Sequence, residues 1–189
     1  MPASQGAGRG DNVVLFVGSL FTRRHVGELI EGFARLARRQ PDVRLEIVGD
    51  NRTNPRVDFT RLANGSEAGD RIAIRSYVED DALAALYSSA RAFVFLSEYE
   101  GFGLTPLEAL AAGVPILVLD TPIAREVYGD AALYIRAPEP ALIQAAIDRL
   151  LHDDAERARI LAAAKALLPR YSWNGCATTV LNALTRAAR

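Results

Sequence analysis

The groups with the most chemical potential lie in residues 97–115, SEYEGFGLTPLEALAAGVP, where Glu100 and Glu108 stand with seven residues between them around a Gly-Phe-Gly-Leu-Thr-Pro turn. Gly101 and Gly103 lack a Cβ, so the backbone there can approach a ligand closely. Thr105-Pro106 predicts a helix start, with Thr as the cap and Pro in the first turn. The unpaired amides and positive dipole end of such a helix suit a diphosphate. Glu108 has two readings. It can serve a ligand, or it can complete a capping box by reaching back to the Thr105 backbone. The residues alone leave both open. Glu100, beside Gly-Phe-Gly, has no helix to cap and is either a site carboxylate or a solvated loop charge.

The elements around this segment follow a regular rhythm. Short β-branched runs at Val13–Phe16, Val43–Val48, Ile72–Ile74, Ala92–Leu96, Pro115–Leu119 and Ala132–Ile135 alternate with segments of helical period. Val26, Leu29, Ile30, Phe33 and Leu36 fall on one stripe at spacings of three and four. Asp80–Ser89 is predicted helical, and after Pro140 the pattern is helical throughout: Ala141–Leu151, Ala155–Leu168 and Trp173–Ala188. Runs as apolar as AFVFL and PILVL belong to strands buried on both faces. The expectation is an α/β fold: a Rossmann-like, doubly wound parallel sheet of about six strands with C-terminal helices. A ligand of such a sheet sits outside the carboxyl ends of its strands, which directs attention to the loops after Phe16, Val48, Ile74, Leu96 and Leu119.

Composition narrows the classes. The chain has 189 residues, 50% apolar and 24% charged, and a net charge of −1. That is enough for a real core and gives no overall electrostatic attraction for nucleic acid or an anionic bilayer. Residues 1–11 read as a flexible leader and 12–189 as one domain. Cys176, the single cysteine, has no partner within the chain, and no signal-peptide run follows Met1, so a cytoplasmic protein is expected. The apolar stretch from Leu104 to Leu119 is interrupted by Pro106, Glu108, Gly113 and Pro115 and is shorter than the roughly 20 residues of a membrane span, leaving at most peripheral membrane association.

EGFGLTPLEALAAGVPILVLD resembles the signature of the retaining GT-B glycosyltransferases of family four, with two glutamates ahead of a small-residue helix. FVGSLFTRRHVGELIEGFARL, LEIVGD, EVYGDAALYI and RYSWNGCATTVL are similar to further blocks of that family, in the right order. The resemblance implies one half of a GT-B fold, the donor-binding half, holding a nucleotide-diphosphate sugar. Glu108 would then bind the ribose hydroxyls, and Glu100 would touch the donor sugar near the reacting carbon. The backbone of Gly101, Phe102, Gly103, Leu104 and Thr105 would face sugar and diphosphate, with Gly18 and Ser19 beside them and Val78 near the base. Arg23-Arg24 occupies the place of a basic pair, and Arg24 takes the phosphate role. Arg24 and Glu100 are thus the catalytic candidates. Ser19 stands where many relatives have an arginine, and Leu96 and Thr105 where prolines are common.

The same resemblance implies an acceptor-binding domain or chain that this sequence has no length for. The competing reading is a non-catalytic nucleotide-sugar-binding or interaction domain needing a separate partner chain. An epimerase, which would need a full second domain, and a phosphorylase, which would need a pyridoxal lysine at the cleft where Lys165, the only lysine, falls in the late helical region, are weaker alternatives. No Asp-x-Asp pair, metal-spaced His/Cys cluster or Gly-x-Gly-x-x-Gly after the first strand occurs, so neither a metal nor a nicotinamide cofactor is expected. His25 reads as a surface residue at a helix start, His152 as a helix-end residue, and Asp50 as a turn residue. The face of the last helix around Trp173, Val180, Leu181 and Leu184 is expected to lack a partner.

Overall fold

The computed structural model describes residues 12–188, and the expected leader over residues 1–11 lies outside them. Six strands form one sheet: β1 (Asn12–Val17), β2 (Val43–Val48), β3 (Ile72–Arg75), β4 (Ala90–Phe95), β5 (Ile116–Leu119) and β6 (Ala132–Ile135). All pairings are parallel, and the order is β3-β2-β1-β4-β5-β6. This is the doubly wound arrangement expected from the sequence. The apolar runs explain it: Val14, Leu15, Phe16, Phe93, Val94, Ile116 and Leu117 are fully buried, so both faces of the central strands are covered.

The helices are α1 (Val26–Ala37), α2 (Phe59–Asn64), α3 (Asp80–Ser89), α4 (Leu104–Ala111), α5 (Pro122–Tyr128), α6 (Pro140–His152), α7 (Asp154–Leu167) and α8 (Trp173–Ala187). The short helices α2 and α5 extend the sequence reading. Each is started by a side-chain cap: the Asp58 carboxylate accepts from the Arg61 amide, and the Thr121 hydroxyl from the Ala124 amide, with Pro122 in the first turn. The apolar stripe of α1 packs against α6, which returns across the sheet. No helix among the described residues is long and apolar enough to cross a membrane. The strand order reverses direction between β1 and β4, and that switch point opens the crevice in which a doubly wound sheet binds ligands.

Candidate functional site

Two loops meet at the carboxyl ends of β1 and β4. After β1 the chain makes a short 3-10 turn over Thr22–Arg24, and after β4 it runs through Ser97 to Gly103 before entering α4. Arg24 and Glu100, 76 positions apart in sequence, are brought into contact there: Arg24 Nε and Nη2 both donate to Glu100 Oε1, at 2.8 and 2.7 Å. Arg24 Nη1 donates to the Ser19 carbonyl at 2.8 Å. The guanidinium carbon also lies 4.8 Å from the centre of the Phe95 ring. Both side chains are largely buried, with 12% and 17% of their surface exposed, so each charge depends on the other to offset lost hydration. Gly18, at φ +143°, leaves the space for this guanidinium: a Cβ there would fall 2.7 Å from Arg24 Nη1.

Two further links stitch the turn to the loop, and a third braces the loop itself. Arg23 Nε donates to the Tyr99 carbonyl at 3.0 Å, the Glu98 amide donates to the Arg23 carbonyl at 3.0 Å, and the Ser97 hydroxyl donates to Glu100 Oε1 at 2.8 Å. His25 is not the surface histidine expected from the sequence. It takes the left-handed conformation (φ +50°) and inserts its ring between Glu28 and Glu98, at 3.2 and 2.9 Å, with 14% of its side chain exposed.

The helix start differs from the sequence expectation. Thr105 is not the cap: Gly103, at φ +91°, occupies that place and α4 begins at Leu104, which sets Thr105 and Pro106 inside the first turn. The cause lies in α5, where the buried Tyr128 donates its hydroxyl to the Gly103 carbonyl at 2.9 Å and so ties down the turn. Burial, reinforced by the Glu100 charge, pushes the Tyr128 hydroxyl far above the usual tyrosine range, so it remains a donor. Pro106 is accommodated because first-turn amides have no intrahelical acceptor. The capping-box reading of Glu108 falls with the cap. Its Oε2 instead accepts from the Tyr87 hydroxyl at 2.9 Å, while the residue itself is exposed.

The other predicted positions take clear places. Gly101, Phe102 and Leu104 are exposed at the mouth, and Phe102 stacks edge-on against Tyr171 with ring centres 5.2 Å apart. The Val78 side chain, just after β3, packs on the core. Asp50 pairs with Arg52 at 2.7 Å, as suits a turn residue. Tyr87, Ser97 and Tyr128, which the sequence does not mark as candidates, contact the candidate site residues through their hydroxyls. Only the Thr121-Pro122 start of the helix carrying Tyr128 could have hinted at one of them.

The sequence profile of the family described as "Glycosyl transferases group 1" matches residues 1–167. The chain belongs to this family. O-antigen chain mannosyltransferase B of Escherichia coli is 32% identical over 171 residues, covering 89% of this chain and 44% of that protein. In structure, Anabaena HepE in complex with UDP-glucose superposes with a TM-score of 0.81 at 19% identity, over 93% of this chain and 49% of that one. The pneumococcal O-GlcNAc transferase GtfA, in complex with UDP and GlcNAc, superposes with a TM-score of 0.74 at 21% identity, over 94% of this chain and 37% of that one. The chain therefore spans less than half the length of the relatives it matches. Its fold is that of one Rossmann-like half of a GT-B glycosyltransferase, and the group 1 signature segment forms the crevice wall that carries Glu100 and α4.

Proposed function

We propose that this chain holds a nucleotide-diphosphate sugar in the crevice between β1 and β4 and serves the transfer of its sugar to an acceptor hydroxyl with retention at the anomeric carbon. The observation that carries the reading is the convergence of Arg24, Glu100 and the amino end of α4 at the switch point of the sheet. The diphosphate would lie against Arg24, with Arg23 nearby and the free amides of α4 alongside, so that negative charge growing on the leaving group meets fixed positive ends. No metal ion is needed in this reading. Glu100 orients the donor sugar and forms no covalent bond to it. The bond from the anomeric carbon to the phosphate oxygen breaks, and the acceptor oxygen bonds to the same face while its proton passes to the departing phosphate.

Glu108 accepts from the ribose hydroxyls, and the backbone near Val78 meets the base. The similarity to mannosyltransferases, an O-antigen chain mannosyltransferase among them, supports a hexosyl donor and a role in polysaccharide assembly. A cytoplasmic setting belongs to the same reading. The greater length of the relatives supports an acceptor held by a second domain facing the crevice, so the chain alone should bind donor and transfer little.

Ligand-observed NMR with a panel of nucleoside diphosphates and their sugars tests the reading. Binding of one nucleotide that is weakened at least tenfold in both Arg24→Ala and Glu108→Ala, with the fold intact, supports it. No binding at millimolar ligand would overturn it in favour of an interaction domain.

A further inference from the structure

Tyr87 stands in the last turn of α3, outside the segment that carries the family signature. The residue is 8% exposed, and its ring stacks on Phe93 of β4, with centres 5.9 Å apart and planes 24° from parallel. Packing therefore fixes both torsions of the side chain. The hydroxyl emerges at the far end, 2.9 Å from Glu108 Oε2 and 3.5 Å from the Thr105 carbonyl.

Glu108 is placed differently. It is exposed on α4, and among the described residues its carboxylate has no other hydrogen-bond partner, which leaves Oε1 free. An unrestrained glutamate on a helix surface samples several rotamers, and ordering it on binding costs side-chain entropy. One hydrogen bond from a rigid donor removes much of that freedom before a ligand arrives.

We infer that Tyr87 is a positioning residue for nucleotide recognition: its hydroxyl holds one carboxylate oxygen of Glu108 so that the other is presented to the ribose hydroxyls. The inference rests on the proposed reading of the crevice as a nucleotide-diphosphate-sugar site. Tyr87 suits the task because its hydroxyl keeps its proton. Burial, with the Glu108 charge and hydrogen bond adding to it, pushes the hydroxyl far above the usual tyrosine range. A carboxylate facing it always meets a donor. A purely architectural tie between α3 and α4 would act on every ligand alike, whereas positioning acts through the ribose hydroxyls alone.

The test measures the affinities of UDP and GDP, and of their 2′,3′-dideoxy counterparts, by titration calorimetry for the wild-type chain, Tyr87→Phe and Glu108→Ala. Expected for Tyr87→Phe is a loss of about five- to tenfold with the preferred ribonucleotide, the size of one hydrogen bond, and less than twofold with its dideoxy form. Glu108→Ala should abolish the discrimination between the two forms, and Tyr87→Phe added to Glu108→Ala should change nothing more. Thermal unfolding within a few degrees of wild type shows that the Tyr87→Phe fold is intact. Equal losses with both forms, or no loss with either, would overturn the inference while leaving the proposed function standing. Absence of wild-type binding to UDP, GDP and every other nucleoside diphosphate of the panel would overturn both.

Discussion

The turn at Gly103 offers a quantitative test of how the crevice is built. Gly103→Ala introduces two costs. The residue keeps φ +91°, a region that costs a side chain roughly 1–2 kcal/mol. The new Cβ would also overlap the Tyr128 hydroxyl, and Tyr128 is buried and cannot swing aside, so overpacking adds about 1–3 kcal/mol. Tyr128→Phe alone loses the hydrogen bond to the Gly103 carbonyl, worth about 1 kcal/mol. The double variant has no hydroxyl to overlap, and the remaining approach, 3.3 Å to the ring carbon that bore it, needs only a small shift. It should therefore be destabilised by about 2–3 kcal/mol, less than the sum of the single changes by about 1–3 kcal/mol. Urea unfolding followed by far-UV circular dichroism on all four proteins closes the cycle. Additivity within about 0.5 kcal/mol would refute the claim that Tyr128 and Gly103 set the start of α4 together.

The remaining predictions concern charge and backbone. Gly18→Ala should push the Arg24 guanidinium off the Ser19 carbonyl and weaken diphosphate binding at least fivefold by NMR titration, with the sheet intact by circular dichroism. At position 25, His25→Asn should cost less stability than His25→Val by about 1–2 kcal/mol in urea unfolding, because Asn tolerates the left-handed conformation and a β-branched residue does not. Glu156, 7% exposed and gripped by Arg159 Nε and Nη2 at 2.9 Å each, has its pKa lowered, first by those hydrogen bonds. A depressed carboxylate stabilises the fold above its unfolded pKa and loses that contribution as pH falls through the folded value. Glu156→Gln should thus cost about 1–2 kcal/mol near neutral pH, Arg159 being half exposed, and the gap from wild type should close as pH falls below about 4.5.

The parts of this molecule that were readable in its sequence are those governed by local rules. Apolar runs such as AFVFL can be satisfied only in a sheet covered on both faces, so six strands and their order of appearance follow from pattern. The Thr-Pro helix start shows where local rules end. Thr121-Pro122 behaves as a cap and first-turn proline, while Thr105-Pro106 has the same signal and does not. The difference is the hydroxyl of Tyr128 on the Gly103 carbonyl, a contact 25 positions away that no window around Thr105 contains. The pairing of Arg24 with Glu100 and of Tyr87 with Glu108 is likewise a product of strand order. His25 departs from its expected surface place for the same reason, since its partner Glu98 lies on the loop after β4.

The state of Arg24 gives these contacts a common purpose. A guanidinium has five N–H donors, and among the described residues three of them are engaged by Glu100 and Ser19, so two remain that could meet an anion. An arginine at this depth with no carboxylate beside it would carry a heavy desolvation cost, and one fully wrapped by acceptors would have nothing left to give a phosphate. The observed arrangement lies between these limits. Glu100 keeps the cation in place and pre-oriented, and under the proposed function the remaining donors would meet negative charge as it develops on a departing diphosphate, where a fixed positive group lowers the barrier most. In the proposed reading the same pairing suits Glu100 to an orienting role: Oε1, shared by Arg24 and Ser97, accepts from three donors and fixes the carboxylate in place.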